Sequence, residues 1–422
     1  MFLTSKTSPS RASCFIKKIQ LKVRSVQGTA RLHLRTSILF FLVSFGSVCG
    51  VLVTPALPKI QQFFHISEGA AQLVITAYLL GYALGQLPYG PLANGIGRKK
   101  TLYVGMAVAM LGSLLCAISA PLGWFKLLII ARFIQALGAC VGLKVSYTMV
   151  ADVYDQVTAT RKISKMIVAF AVMPGLAVAI GGWLTQTFGW QSCFYFLAVF
   201  GVIVSSMITA VPETASRIHL DALKINVMIK DYSAKFRNKP LVLAGLIMGS
   251  GTSVVYLYSA KAPFIGIDVI GMQPDTFGMF NLLPSLGMLI GIAVAAHFAG
   301  YQKLLRLMKL ATIFCLGATL TMLVPFAFFG PSIWSLFFPM ILVYTAEALV
   351  FANTSSLGLS QAKNKAHASA VLNFLNIIFS FFVVLLSGYV FSASALAMPI
   401  AFMCFFVAML WLLHGLQKSL QK

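Results

Sequence analysis

The sequence predicts an all-α membrane protein, with twelve transmembrane helices arranged as two six-helix bundles. Three observations predict it. The 422 residues are 59% hydrophobic and only 10% charged, with a mean hydropathy of +0.89, whereas a soluble globular chain carries about 25% charged residues. A larger core cannot absorb that deficit, because a soluble surface would still need covering. Apolar segments of about 20 residues, the length that crosses a hydrocarbon core, recur twelve times along the chain. Lys and Arg fill the short gaps between these segments instead of gathering with aromatics on one domain. The formal charge of +23 therefore reads as a positive-inside signal and not as a nucleic-acid surface.

Taken in order, residues 1–36 are basic, contain no acid and lack the apolar core of a secretory signal. They are expected to form a cytoplasmic N-terminal tail. Its part 15–26 is amphipathic enough to touch anionic lipid, although a disordered tail reads equally well. The first bundle, 37–211, holds segments at 37–58, 70–93, 102–120, 125–149, 163–188 and 192–211. A polar stretch at 212–240 is expected to be a cytoplasmic central loop. The second bundle, 241–416, holds segments at 241–264, 275–299, 305–328, 332–357, 366–391 and 394–416, and a cytoplasmic tail follows at 417–422. Of the 32 Lys and Arg, only Lys59, Lys126, Arg132, Lys144 and Lys261 lie off the face that bears both termini. That asymmetry puts the termini in the cytoplasm. Two bundles of nearly equal length suggest an internal duplication of the kind transporters use.

Other chemistries are not signalled. The seven cysteines are scattered without a Cys-x-x-Cys, so neither a disulfide framework nor a metal site is expected. No His-Glu-x-x-His, Gly-x-Ser-x-Gly or Gly-x-x-x-x-Gly-Lys-[Ser/Thr] pattern occurs, so no cofactor, no enzymatic activity and no ATP-driven pumping within the chain are expected.

The loop after the second segment reads Gly90-Pro91-Leu92-Ala93-Asn94-Gly95-Ile96-Gly97-Arg98-Lys99. Gly90, Gly95 and Gly97 are expected to break regular helix and permit a tight turn. This order resembles the loop joining helices 2 and 3 of major facilitator superfamily transporters, roughly Gly-x-Leu-Ala-Asp-Arg-x-Gly-Arg-Lys. Asn94 stands where that pattern has Asp, and Gly95 where it has Arg. Further stretches fit the same family in order. Arg132-Phe133-Ile134-Gln135-Ala136-Leu137-Gly138 is similar to a motif in helix 4 of drug/proton antiporters. Pro174 with Gly181 and Gly182 resembles their helix-5 signature, with Val178 in place of its second proline. Pro55 through Ile60, Tyr78 through Leu87, and Ser259 through Phe264 resemble the bicyclomycin/chloramphenicol-resistance (Bcr/CflA) type.

The resemblance covers residues 37–416 and implies the facilitator fold, with spans 1, 4, 7 and 10 lining a central cavity. It implies proton-driven efflux of a small organic molecule across a bacterial inner membrane by alternating access. An uptake carrier or uniporter for a polar or anionic metabolite stays open beside it. The family also implies a latch, in which Arg98 pairs with Asp152 when the carrier faces outward. Asn94 would accept hydrogen bonds from the amides that start span 11, with less pull than an acid because it carries no charge.

Ions inside spans are the remaining signal, because an unpaired charge in hydrocarbon costs at least ~2.5–3.5 kcal/mol. Arg132 and Lys144 in span 4, Lys261 in span 7 and Glu347 in span 10 are the candidates for a substrate and proton pathway. Lys261, near the end of its span, can also snorkel. Gly181 and Gly182, with Gly278, Gly287 and Gly291 of span 8, also have a plain packing reading. Pro174 suits a cavity-lining helix and a merely kinked one alike. Antiporters of the Bcr/CflA type carry an acid where this chain has Val51, and among its nine acids only Glu347 lies deep in a span. Glu347 is therefore the expected proton carrier. At 1.5 Å per residue, Lys144 and Glu347 lie about 28 and 22 Å below the outer ends of their spans, and they are expected to pair. Three interior cations against one acid favour an anionic or strongly polar substrate.

Overall fold

The computed structural model describes residues 34–215, 233, 235–298, 304–360, 365–390 and 394–421. The basic tail through residue 33 and most of the 212–240 loop, with the roles expected of them, lie outside the described residues. Every regular element among the described residues is helical. Eleven helices are long and apolar enough to cross a membrane, and a pair bent by 47°, Glu68–Gly85 with Tyr89–Ile96, makes a twelfth. Spans 1 to 6 occupy 36–64, 68–96, 98–118, 125–153, 156–188 and 191–208. Spans 7 to 12 occupy 239–269, 274–297, 304–328, 333–360, 365–390 and 397–420.

Several spans are broken, and the breaks have local causes. Span 1 runs as Thr36–Val51, a 3₁₀ turn at Thr54–Ala56 and Leu57–Phe64. Pro55 and Pro58 have no N–H to continue the ladder, and each sits in the first turn of a new segment, where none is needed. Span 7 passes into a π-helical turn at Phe264–Val269 directly after Pro263. Span 4 divides at Cys140 into Phe125–Ala139 and Val141–Val153. Span 5, by contrast, continues through Pro174 as one helix, Gln156–Phe188, capped where Asp155 Oδ2 accepts from the amides of Val157 and Thr158. The glycine reading of the 85–100 stretch needs correction. Gly90 and Gly95 lie inside the short helix Tyr89–Ile96, and only Gly97, at φ 96°, interrupts the chain.

The first six spans pack among themselves chiefly through spans 3 with 4, 2 with 4 and 3 with 6, and the last six through 8 with 10, 7 with 11 and 9 with 10. The two sets meet along spans 2 and 11 and along spans 5 and 8. Between helices in lipid there is no water to expel, so close approach of small residues must supply the contact. A Cβ on Gly69 would strike the carbonyl of Gly388, one on Gly182 the carbonyl of Pro274, and one on Gly278 the backbone of Val178 and Ala179. These contacts shut the cation-poor end of the molecule. At the cation-rich end, Val141–Val153 and the second half of span 10 show no extended packing on one another.

Candidate functional site

Arg132 is completely buried at the centre of the first bundle. Its Nε donates to the Val74 carbonyl at 3.1 Å, Nη1 to the Cys49 carbonyl at 2.9 Å and to Gln135 Oε1, and Nη2 to the Gly50 carbonyl at 3.3 Å. Gln135 Nε2 in turn donates to Ser113 Oγ at 2.6 Å, and the guanidinium lies 4.5 Å from the Tyr78 ring centroid. The carbonyls of Cys49 and Gly50 end the first segment of span 1, where an intrahelical partner is normally missing. The fork of Arg132 supplies one, joining spans 1, 2 and 4. Four of its five N–H groups are thus engaged with protein, which makes Arg132 a brace of the broken span.

Glu347 is 3% exposed, on span 10, and neither carboxylate oxygen has a hydrogen-bond partner. It backs onto Gly251 of span 7, where any Cβ would overlap the carboxylate. The expected pairing with Lys144 is not formed. Lys144 is half-buried on the second segment of span 4, and that segment does not pack on span 10. Similar depth did not bring the two together, because they lie on segments of opposite bundles that have no extended packing on one another. Tyrosines surround this level from both bundles. Tyr78 Oη donates to the Gly46 carbonyl, and its ring stacks on Tyr82 at 5.9 Å. Tyr256 of span 7 points its hydroxyl at Gly50 of span 1, and Tyr258 meets Tyr344 edge-on at 6.3 Å.

At the cation-rich end, Arg98 Nε bonds Asp152 Oδ2 at 2.9 Å, and its Nη1 donates to the Ala93 carbonyl at 2.8 Å. Sequence reasoning missed the third member, Glu213. Its carboxylate accepts from the amides of Arg98 (2.9 Å), Lys99 (3.0 Å), Thr214 (3.0 Å) and Ala215 (2.9 Å), and Thr214 Oγ1 donates to Asp152 Oδ2 at 3.1 Å. Burial pushes the Glu213 carboxyl up, but the four amides outweigh it and hold the group below the usual carboxylate range. The anion also sits at the N-terminus of Arg98–Ile118, where the helix dipole favours it. Gly97 is required twice over, by its positive φ and because a Cβ there would lie 2.6 Å from Glu213 Oε2. Its partners on span 3 are main-chain amides, so no side-chain pairing marked it in the sequence.

Arg98 and Asp152 lie on spans 3 and 4 and Glu213 just after span 6, so the cluster does not cross between the bundles, and it is formed while the cation-poor end is shut. Asn94 is half-buried on the short helix Tyr89–Ile96, which comes against span 11. Pro174 is half-buried within span 5, and Gly181 and Gly182 are buried against Leu52 and Pro274. Lys261, 3% exposed, does not snorkel. It places Nζ 3.5 Å from Glu68 Oε1 of span 2, which also accepts from Gln72 Nε2 at 3.0 Å.

A cavity of about 660 Å³ lined by Phe63, Pro121, Phe188 and Tyr195 lies on the flank of the first bundle and borders none of these ions. Among the described residues no cluster of three or more His, Cys, Asp or Glu could hold a metal.

Residues 36–384 match the family described as Major Facilitator Superfamily. Multidrug resistance protein D of Escherichia coli is 29% identical over 321 residues, covering 75% of this chain and 79% of that protein. A bicyclomycin resistance protein homolog of Haemophilus influenzae is 24% identical over 292 residues, 67% of this chain and 72% of its own length. Among solved structures, a D-xylose-proton symporter superposes with a TM-score of 0.75 at 14% identity, covering 89% of this chain and 96% of that one.

Proposed function

The chain belongs to the major facilitator superfamily, and from that premise we propose that it exports small organic molecules against the proton gradient by alternating access. The observation that carries the proposal is Glu347, a buried carboxylate in a span with no protein partner. A carboxylate at that depth is stable only when it carries a proton or meets a cation. Proton and cargo then become alternative neutralisers of one site, which is what antiport requires. The relatives named for drug resistance support this direction of transport.

The distribution of Lys and Arg makes the cation-rich end cytoplasmic. The arrangement with the cation-poor end shut and spans 4 and 10 apart is then the inward-facing one. In it, cargo enters from the cytoplasm among Tyr82, Tyr147, Tyr256 and Tyr344, and the proton leaves Glu347. Two of the three cations that favoured an anionic cargo are engaged, Arg132 by carbonyls and Lys261 by Glu68. Aromatic faces beside a carboxylate suit a planar organic cation.

Ethidium in everted inner-membrane vesicles tests this. Accumulation is expected on acidifying the interior and is expected to collapse when the pH gradient is dissipated. Uptake that ignores the gradient overturns proton coupling. A second expectation concerns the Arg98 cluster. Arg98→Ala should slow transport without lowering the amount of protein in the membrane, because it loosens the joint between spans 2, 3 and 4 without exposing a core. Wild-type rates in that variant would leave the loop as a topological signal and nothing more.

A further inference from the structure

The Glu68–Lys261 contact differs in kind from the Arg98–Asp152 pair, because it spans the two bundles. Glu68 opens span 2 of the first bundle, and Lys261 lies on span 7 of the second, two residues before Pro263 and the π-helical turn. The pair sits within the closed end, beside the residue whose Cα abuts Gly388. Gln72 donates to Glu68 from the next turn, and Asp268, on the π-helical turn, is the other charge acting on Glu68. Of the remaining titratable groups described at this end, Lys59 donates to the Thr185 carbonyl at 2.9 Å, half-buried Asp275 accepts from the amide and hydroxyl of Thr276, and His65, Lys126, Tyr195 and Tyr389 are exposed.

We propose that Glu68 and Lys261 form the lock of the cation-poor end, and that Glu68 is the group through which protons from that side release it. Protonating Glu68 takes from Lys261 the carboxylate it faces. A buried ammonium that loses its counter-charge is expensive, and separating the bundles at this end lets water reach it. The closed form is therefore favoured when the outer side is neutral or alkaline and loses that advantage as it acidifies. Glu347 and Glu68 then divide the work: one exchanges proton for cargo at mid-depth, the other reports the outer proton supply to the gate. This division rests on the reading of the chain as a proton-coupled exporter, but the lock itself can be tested without transport.

Ser387, 3% exposed beside Gly388 at the closed seam, is changed to Cys in a background carrying Cys14→Ser and Cys404→Ser, which removes the tail thiol and the one exposed thiol among the described residues. Labelling by a membrane-impermeant maleimide is followed in right-side-out vesicles from pH 8 to pH 5.5, corrected for the reagent's own pH dependence. The parent is expected to label slowly at pH 8 and faster as pH falls. Glu68→Gln and Lys261→Met are each expected to label about fivefold faster or more at pH 8, the low end of coupling energies between sites, with the pH dependence lost. The exchange Glu68→Lys with Lys261→Glu is expected to restore slow labelling at pH 8, which a merely misfolded protein would not do. Labelling in Glu68→Gln that follows the parent at every pH overturns the lock, as does failure of the charge exchange to restore protection. If labelling switches as expected while ethidium accumulation ignores the pH gradient, the lock stands and the exporter reading falls.

Discussion

Glu347→Gln is expected to abolish accumulation driven by the pH gradient while leaving downhill exchange of uncharged aromatic cargo. The amide keeps the shape that fits over Gly251 but neither takes up nor releases a proton. The membrane content of the variant should match the parent, because replacing an unpartnered carboxyl by an amide removes no protein hydrogen bond. Flux of ethidium against a gradient should fall to the level of vesicles lacking the protein. If the variant concentrates ethidium at the parental rate, Glu347 is structural and coupling runs elsewhere.

Arg132→Ala is expected to act on stability first. It orphans the carbonyls of Cys49, Gly50 and Val74 and the side chain of Gln135 in the buried interior. Each buried acceptor left alone costs about 1–3 kcal/mol, though such costs do not add fully, and helices in lipid find substitute partners. A loss of about 3–5 kcal/mol is expected, within the range for removing a buried charged partner. It would be read as a drop in thermal unfolding temperature in detergent. Arg132→Lys should recover only part of it, since one ammonium cannot reproduce the fork that reaches both ends of the broken span. Parental stability with lost transport would instead make Arg132 a pathway residue.

The helical spans were legible because the bilayer leaves the chain few options. Each crossing must satisfy its own backbone and exclude charge, so length, apolarity and cation placement carry the topology. The contact of Arg98 with Asp152 was legible through resemblance. Depth was legible too, at a fixed rise per residue, but lateral position was not. Lys144 and Glu347 failed to meet for that reason, and nothing in either helix encodes the gap between bundles. Glu68 was passed over because it begins a span, where an acid is cheap; only the fold reveals that Lys261 comes to it from the other bundle. Glu213 was passed over because its partners are main-chain amides, which leave no side-chain signature. The break at Cys140 has no proline; it lies between Gly138 and Gly142, which press against the backbones of spans 3 and 1.

The seam at Gly69–Gly388 and Gly182–Pro274 sets backbone directly against backbone. At these two crossings no side chain comes between the backbones, so the contact acts as a hard stop and not as a spring. A stop returns the bundles to one position in every cycle, whatever the load inside. The elasticity of the machine must then reside in its bent elements: the 47° kink within span 2, the division of span 4 at Cys140, and the π-helical turn beside Lys261.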